Sequence, residues 1–135
     1  MATIFVARSA ELAKWASDVG LSKHVYKLGV TDAPIKEVIA AGWAGFGGWS
    51  LVKKQDSIDN LDNEAAIAKA AARAKMIDPA LYPRIRGETG IFKVTQAQVE
   101  NLILLTRALA GDQEGAPFLP KHPDFADYLI DSALR

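Results

Sequence analysis

The stretch from His24 to Pro34 constrains the fold of this chain more than any other. Between Val25 and Val30 the side chains alternate. Tyr26, Leu28 and Val30 give an apolar face and Val25, Lys27 and Gly29 a partly polar one, the period of a strand. Thr31 or Asp32 can cap a following helix, and Pro34 suits its first turn because its missing N–H would be unpaired there anyway. A strand, a glycine exit and a capped helix in so short a run call for a small sheet with helices packed on it.

The segments on either side fit that scheme. Thr3 to Ala7 is β-branched and aromatic, with Ile4 and Val6 on one side and Phe5 on the other, as in a short strand buried on both faces. Ser9 is placed to cap a helix carrying Leu12, Trp15, Ala16 and Val19, and Gly20 to stop it. Ile35, Val38 and Ile39 predict a buried stripe on the helix after Pro34, which Gly42 ends. Trp49 to Lys54 reads as a third strand and Gln55 to Asp62 as loop. Asn63 or Asp62 caps an alanine-rich helix to about Lys75, and Gly90 to Val94 is a fourth short strand. Thr95 opens a helix to about Ala110 with Val99, Leu102, Ile103, Thr106 and Leu109 on one side. Leu104 and Leu105 widen that stripe, which predicts burial along much of its girth. Pro123 begins a last helix with Phe125, Tyr128 and Leu129. The expected fold is α+β: one domain over 1–135, with a three- to four-stranded sheet flanked by helices over 1–94 and a helical extension over 95–135.

Composition narrows the function classes. The chain has 135 residues, enough for a core without staples, and half of them are hydrophobic. It has no cysteine, which rules out disulfides, thiolate metal sites and cysteine nucleophiles. Sixteen basic and sixteen acidic residues cancel, unlike the strong basic excess of a dedicated nucleic-acid binder, while leaving room for a local basic patch. No apolar run approaches the roughly 18 residues of a membrane span, and the start does not read as a signal peptide. A cytoplasmic protein with no membrane partner is the expectation.

Few segments carry chemistry. The loop Gly42 to Trp49 mixes glycines with Trp43, Phe46 and Trp49. It leads into a strand rather than a helix and lacks Gly-Lys-Ser/Thr, so it is not a phosphate-binding loop. Its aromatics either fold over the core or present a surface that stacks on a base or docks a partner. His24 and His122 lie far apart without a ligand at metal spacing, and read as ordinary surface or boundary residues. From Lys69 to Lys93 the chain holds Arg73, Lys75, Arg84 and Arg86 as well, against Asp78 and Glu88. That excess is either a solvated helix face and loop or a patch facing nucleic-acid phosphates.

The order of motifs resembles the GIY-YIG nuclease superfamily. Ile4-Phe5-Val6 stands on a first strand and Tyr26-Lys27-Leu28-Gly29 on a second, followed by Thr31-Asp32-Ala33-Pro34 and a helix. The second motif is similar to the Tyr-Lys-Ile-Gly of the phage-type branch. A third strand, Glu64 early in the next helix, Arg84, Arg86 and Gly90-Ile91-Phe92-Lys93-Val94 continue the likeness over the first two thirds of the chain. The resemblance implies a GIY-YIG-like core and metal-assisted hydrolysis of a DNA phosphodiester, in which Mg²⁺ neutralises phosphate charge and a positioned water attacks. In that frame Tyr26 and Lys36 are the catalytic residues, with Glu64 as both catalytic residue and metal ligand. Two family positions are altered: Phe5 replaces the first tyrosine, and Glu37 stands where the phosphate-binding arginine is expected. The expected function is therefore a divergent, catalytically degenerate member binding nucleic acid or a protein partner. Binding would use Arg73, Lys75, Arg84, Arg86 and Lys93, and the aromatic trio Trp43, Phe46 and Trp49. Two alternatives remain: an active Mg²⁺-dependent DNA endonuclease, and an interaction module that pairs with a protein partner or a second copy without nucleic acid. No other cofactor is expected.

Overall fold

β1 (Ala2–Ser9) lies inside a five-stranded antiparallel sheet, with β3 (Trp49–Ile58) on one side and β2 (Val25–Thr31) on the other. Ile4, Phe5, Val6 and Ala7 are all buried, which is why this stretch is apolar on both faces. Beyond β2 follow β5 (Ile91–Lys93) and the edge strand β4 (Lys75–Met76). The helices are α1 (Ala10–Asp18), α2 (Ile35–Ala41), α3 (Asn63–Ala71), α4 (Gln96–Leu109) and α5 (His122–Leu134). The computed structural model describes residues 2–21, 24–43, 45–58, 62–85, 88–109 and 121–134. Among them no helix is long and apolar enough to cross a membrane.

The pleat sorts the side chains into two cores. On the first face Ile4, Val6, Tyr26, Leu28 and Phe92 pack under Ala66, Ile67 and Ala70 of α3 and Phe125, Ala126, Leu129 and Ala133 of α5. The alanines let the two helices and the sheet approach closely. On the second face Val25 and Ile91 pack with Leu12, Ala13 and Ala16 of α1, with Phe46, and with Ile77 and Ile85.

Ser9 caps α1 as expected: its hydroxyl accepts from the Leu12 N–H at 3.2 Å and donates to the Gly47 carbonyl at 2.6 Å. The Glu11 carboxylate accepts the Gly47 N–H. These bonds pin the glycine loop to the start of α1. Asp62 caps α3 by accepting from the Ala65 N–H at 2.7 Å, and the neighbouring Asn63 side chain takes the free Val30 N–H at 2.9 Å.

Lys27 is the exception on β2, a lysine only 3% exposed. Its ammonium pairs with Glu88 at 3.2 Å and donates to the Thr89 carbonyl at 2.6 Å. Burial lowers its pKa, and the Glu88 carboxylate opposes that shift. The pair ties the segment before β5 to β2.

Several expectations are corrected. The sheet has five strands rather than three or four, because the alanine-rich helix ends at Ala71 and Lys75–Met76 pairs with β5. Two residues carry no strand pattern of their own; the open edge of β5 recruits them. β3 runs on to Ile58 where loop was expected, paired along the whole of β1. No residue of α2 is buried, since it rests mainly against the edge strand β3 rather than between layers. On α4, Val99 is buried but Leu104 and Leu105 are 52% and 55% exposed, because no described residue covers that side of the helix. The side chains of Leu102, Ile103, Thr106 and Leu109 lie outside the described residues.

Candidate anion-binding site

A cavity of about 900 Å³ opens where β1 leaves the sheet and β2 enters it. Antiparallel pairing brings these two strand ends together, with Ala7 opposite Lys27 in register. Arg8 comes from β1 and His24 from just before β2. Ala10, Ala13, Lys14, Ser17 and Asp18 come from α1, and Gln96 from the first position of α4. Lys121, His122, Pro123 and Phe125 belong to the start of α5.

An aromatic stack forms one wall. His24 lies flat on Phe125 with ring centroids 4.4 Å apart, and the Phe125 ring stacks on Tyr26 at 5.6 Å. The Tyr26 hydroxyl meets Nδ1 of His122 at 2.7 Å, which sets the orientation of that imidazole. Tyr26 is fully buried. Burial pushes its phenol pKa well above the ordinary value, and the nearby Arg8 guanidinium works weakly in the opposite direction.

The electrostatics are one-sided. Arg8, Lys14 and Lys121 face the cavity with Asp18 as the single carboxylate. Among the described residues, none of these three cations makes an ion pair. The nearby Asp124 carboxylate accepts the Lys121 backbone N–H at 2.8 Å and so caps α5.

Tyr26 therefore acts as a structural phenol in a site of different composition from the one sequence reading assembles. Lys36 lies on α2, beside an apolar notch of about 260 Å³ formed with Ile35, Ile39, Ala40 and Leu51. Leu51 stands opposite Ala7, so this notch belongs to the second face, whereas Tyr26 points into the first. Glu64 is exposed in the first turn of α3, next to the Asn63 that holds Val30. Val30 is four residues past Tyr26, about 13 Å along the strand. The Tyr26 hydroxyl is engaged at the other end, with His122. Tyr26, Lys36 and Glu64 do not share a cleft, and among the described residues no group of three His, Asp or Glu could hold a metal ion. Tyr26, Lys36 and Glu64 do not fit a Mg²⁺ and phosphate site.

The other expected residues divide into two groups. Lys75 and Lys93 face each other across β4 and β5, with Val25 opposite Lys93, and Arg73 lies two residues before β4. They occupy the same end of the sheet as the cavity. Arg84 instead lies over the Phe46 ring at 4.0 Å, and Arg86 is outside the described residues. In the aromatic trio, Phe46 is buried against Trp15, Trp43 stacks on Phe5 at 5.5 Å, and Trp49 meets Trp43 edge-on. The Trp49 indole N–H also donates to the Phe46 carbonyl at 2.9 Å. Trp43 and Trp49 remain half-buried.

Nothing in the local sequence marks Arg8, Lys14 and Lys121, and His24 and His122 stand too far apart in the chain to read as neighbours. They are brought to one cavity by topology alone, and no local spacing announces that. No protein-family model matches this chain, and neither the curated proteins nor the solved structures contain a significant match to it.

Tyr26→Phe separates the phenol from the ring. At neutral pH the variant should lose about 1 kcal/mol with the hydrogen bond to His122. In the unfolded chain the phenol ionises near pH ~10, while the folded one stays protonated above that. Its stabilisation is complete below about pH 10 and falls by up to about 1.4 kcal/mol per pH unit above it, as the unfolded state releases its proton first. Urea unfolding of both proteins from neutral to strongly alkaline pH should show their stability difference shrinking and then reversing. Parallel curves would mean that Tyr26 ionises equally in both states. Lys27 titrates in both proteins and cancels in the comparison.

Proposed function

We propose that this chain is a nucleic-acid-binding domain on a GIY-YIG-like core whose hydrolytic site has been lost. The observation that carries the reading is the collection of basic side chains at one end of the sheet. Lys75 and Lys93 are cross-strand partners there and Arg73 adjoins them. The opposite end holds Asp32, Asp56, Asp62 and Glu64, with Lys36 and Lys54 among them. The basic end also carries Asp18 and Asp124, so the excess there is local, and a phosphate backbone would approach at the Lys75–Lys93 pair.

The GIY-YIG relationship belongs to the same proposal. It rests on Tyr26-Lys27-Leu28-Gly29 followed by a capped corner and helix. The loss of hydrolysis rests on Phe5, Glu37 and the separation of Tyr26 from Glu64. Side chains without base-edge geometry position a backbone rather than read a sequence, so binding should be sequence-tolerant.

Fluorescence anisotropy with labelled single-stranded and duplex oligonucleotides tests this reading. Binding should be measurable at low salt and fall steeply as salt rises, and Lys75→Ala with Lys93→Ala should reduce the log–log salt slope by about two. A plasmid-nicking assay with Mg²⁺ should show no cleavage by the protein or by Glu64→Ala. Absence of binding at low salt would overturn the binding reading. Nicking by the protein that Glu64→Ala abolishes would establish the active-nuclease alternative instead.

A further inference from the structure

We propose that the cavity between α1 and α5 binds a terminal phosphomonoester of a nucleic-acid strand. This deepens the nucleic-acid reading and rests on it for the strand, while the phosphate chemistry rests on the cavity alone.

Charge points to the phosphate. Arg8, Lys14 and Lys121 line a space whose one lining carboxylate is Asp18, with Asp124 held behind Lys121 on its backbone N–H, and none of the three cations has an ion-pair partner among the described residues. Like charges gathered with too little counter-charge repel one another, and an anion placed between them reduces that cost. The excess of two positive charges matches a phosphomonoester, which carries about 1.5 to 2 negative charges near neutral pH. A backbone diester carries one. His24 and His122 place their imidazole rings on the same wall.

Helix geometry agrees with the charge. The first residues of α1, α4 and α5, namely Ala10, Gln96 and His122, all line the cavity. Each of these helices brings the positive end of its dipole to that side. Such convergence is absent at the separate Lys75–Lys93 pair, which lies on strands.

The walls point to the rest of the ligand. Ala10, Ala13, Pro123 and Phe125 supply apolar surface, and His24 is the outer ring of the stack over Phe125 and Tyr26. A nucleotide combines a dianionic phosphate with a planar ring able to extend such a stack. The volume of about 900 Å³ admits a whole terminal nucleotide rather than a phosphate alone.

The test uses one labelled single strand in three forms: 5′-phosphorylated, 3′-phosphorylated and without terminal phosphate. Adenosine monophosphate and inorganic phosphate serve as competitors. At least one phosphorylated form should bind about tenfold more tightly than the bare strand, and adenosine monophosphate should remove that advantage. Arg8→Gln with Lys14→Gln should bring the ratio close to one, with thermal unfolding as the check that the variant is folded. Lys75→Ala with Lys93→Ala should weaken all three strands equally and keep the ratio. If all three forms bind equally, the cavity proposal is wrong and the nucleic-acid reading survives. If no strand binds but adenosine monophosphate raises the melting temperature in an Arg8-dependent way, the cavity takes a free nucleotide and the strand-end assignment is overturned. If nothing binds, both readings fall.

Discussion

Phe125→Ala is expected to lower the unfolding free energy by about 3–5 kcal/mol, enough to threaten the fold of a domain of this size. Phe125 is 1% exposed and stands between His24 and Tyr26, so alanine removes both stacking contacts together with the burial of a large ring. The space it leaves is continuous with the cavity that Phe125 lines, so water can enter it. That opening should also bring the Tyr26 phenol back toward its ordinary ionisation range. Urea unfolding and an alkaline absorbance titration measure the two effects. A loss under about 1 kcal/mol would mean that α5 is not seated on the sheet through this ring.

The second large effect is at Gly90. Its φ is +82°, and a Cβ there would lie 2.7 Å from the Leu28 carbonyl oxygen, 2.8 Å from the Lys27 ammonium and 2.9 Å from Ile67 Cδ1. The Gly90 carbonyl accepts the Leu28 N–H at 2.8 Å, so the backbone cannot withdraw without breaking that bond. Gly90→Ala should cost about 2–5 kcal/mol, combining left-handed strain with overpacking. Gly20 has the same φ and nothing within 4 Å of its Cβ position, so Gly20→Ala should cost about 1–2 kcal/mol from strain alone. The difference between the two variants isolates the close approach of the 88–90 segment to β2. Equal losses would show that this approach does not matter.

Lys27 explains why that approach exists. A lysine on a strand pattern reads locally as a solvent-facing residue, yet here it is buried and paired with Glu88. Truncating either partner would leave the other charge poorly compensated. The alternation in β2 reveals the strand. It does not reveal that the polar side of the strand is covered.

Much of the local structure was legible because its causes are local. Ser9 and Asp62 cap helices by bonds to their own neighbours, and Gly42 ends α2 at the expected place. Tyr26, Leu28 and Val30 share a face because side chains on a strand alternate. β4 was not legible, since two residues acquire strand conformation only from the edge of β5. The exposure of α2 and of Leu104 and Leu105 departs from their apolar pattern for a related reason. An apolar stripe shows which side of a helix can be buried, whereas the depth of burial depends on whether another layer exists to cover it.

The candidate site divides along the same line. Sequence alone determined the α+β class, the corner from His24 to Pro34, the buried β1 and the cluster of basic residues around Lys75 and Lys93. These follow from side-chain period, capping chemistry and composition, which act over a few residues. Tertiary structure decided that Tyr26 lies beneath Phe125, apart from Glu64, and that Arg8, Lys14, His24, Lys121 and His122 line one cavity. Those neighbours come from opposite ends of the chain. They meet because antiparallel pairing brings the end of β1 beside the start of β2 and α5 packs back across both strands.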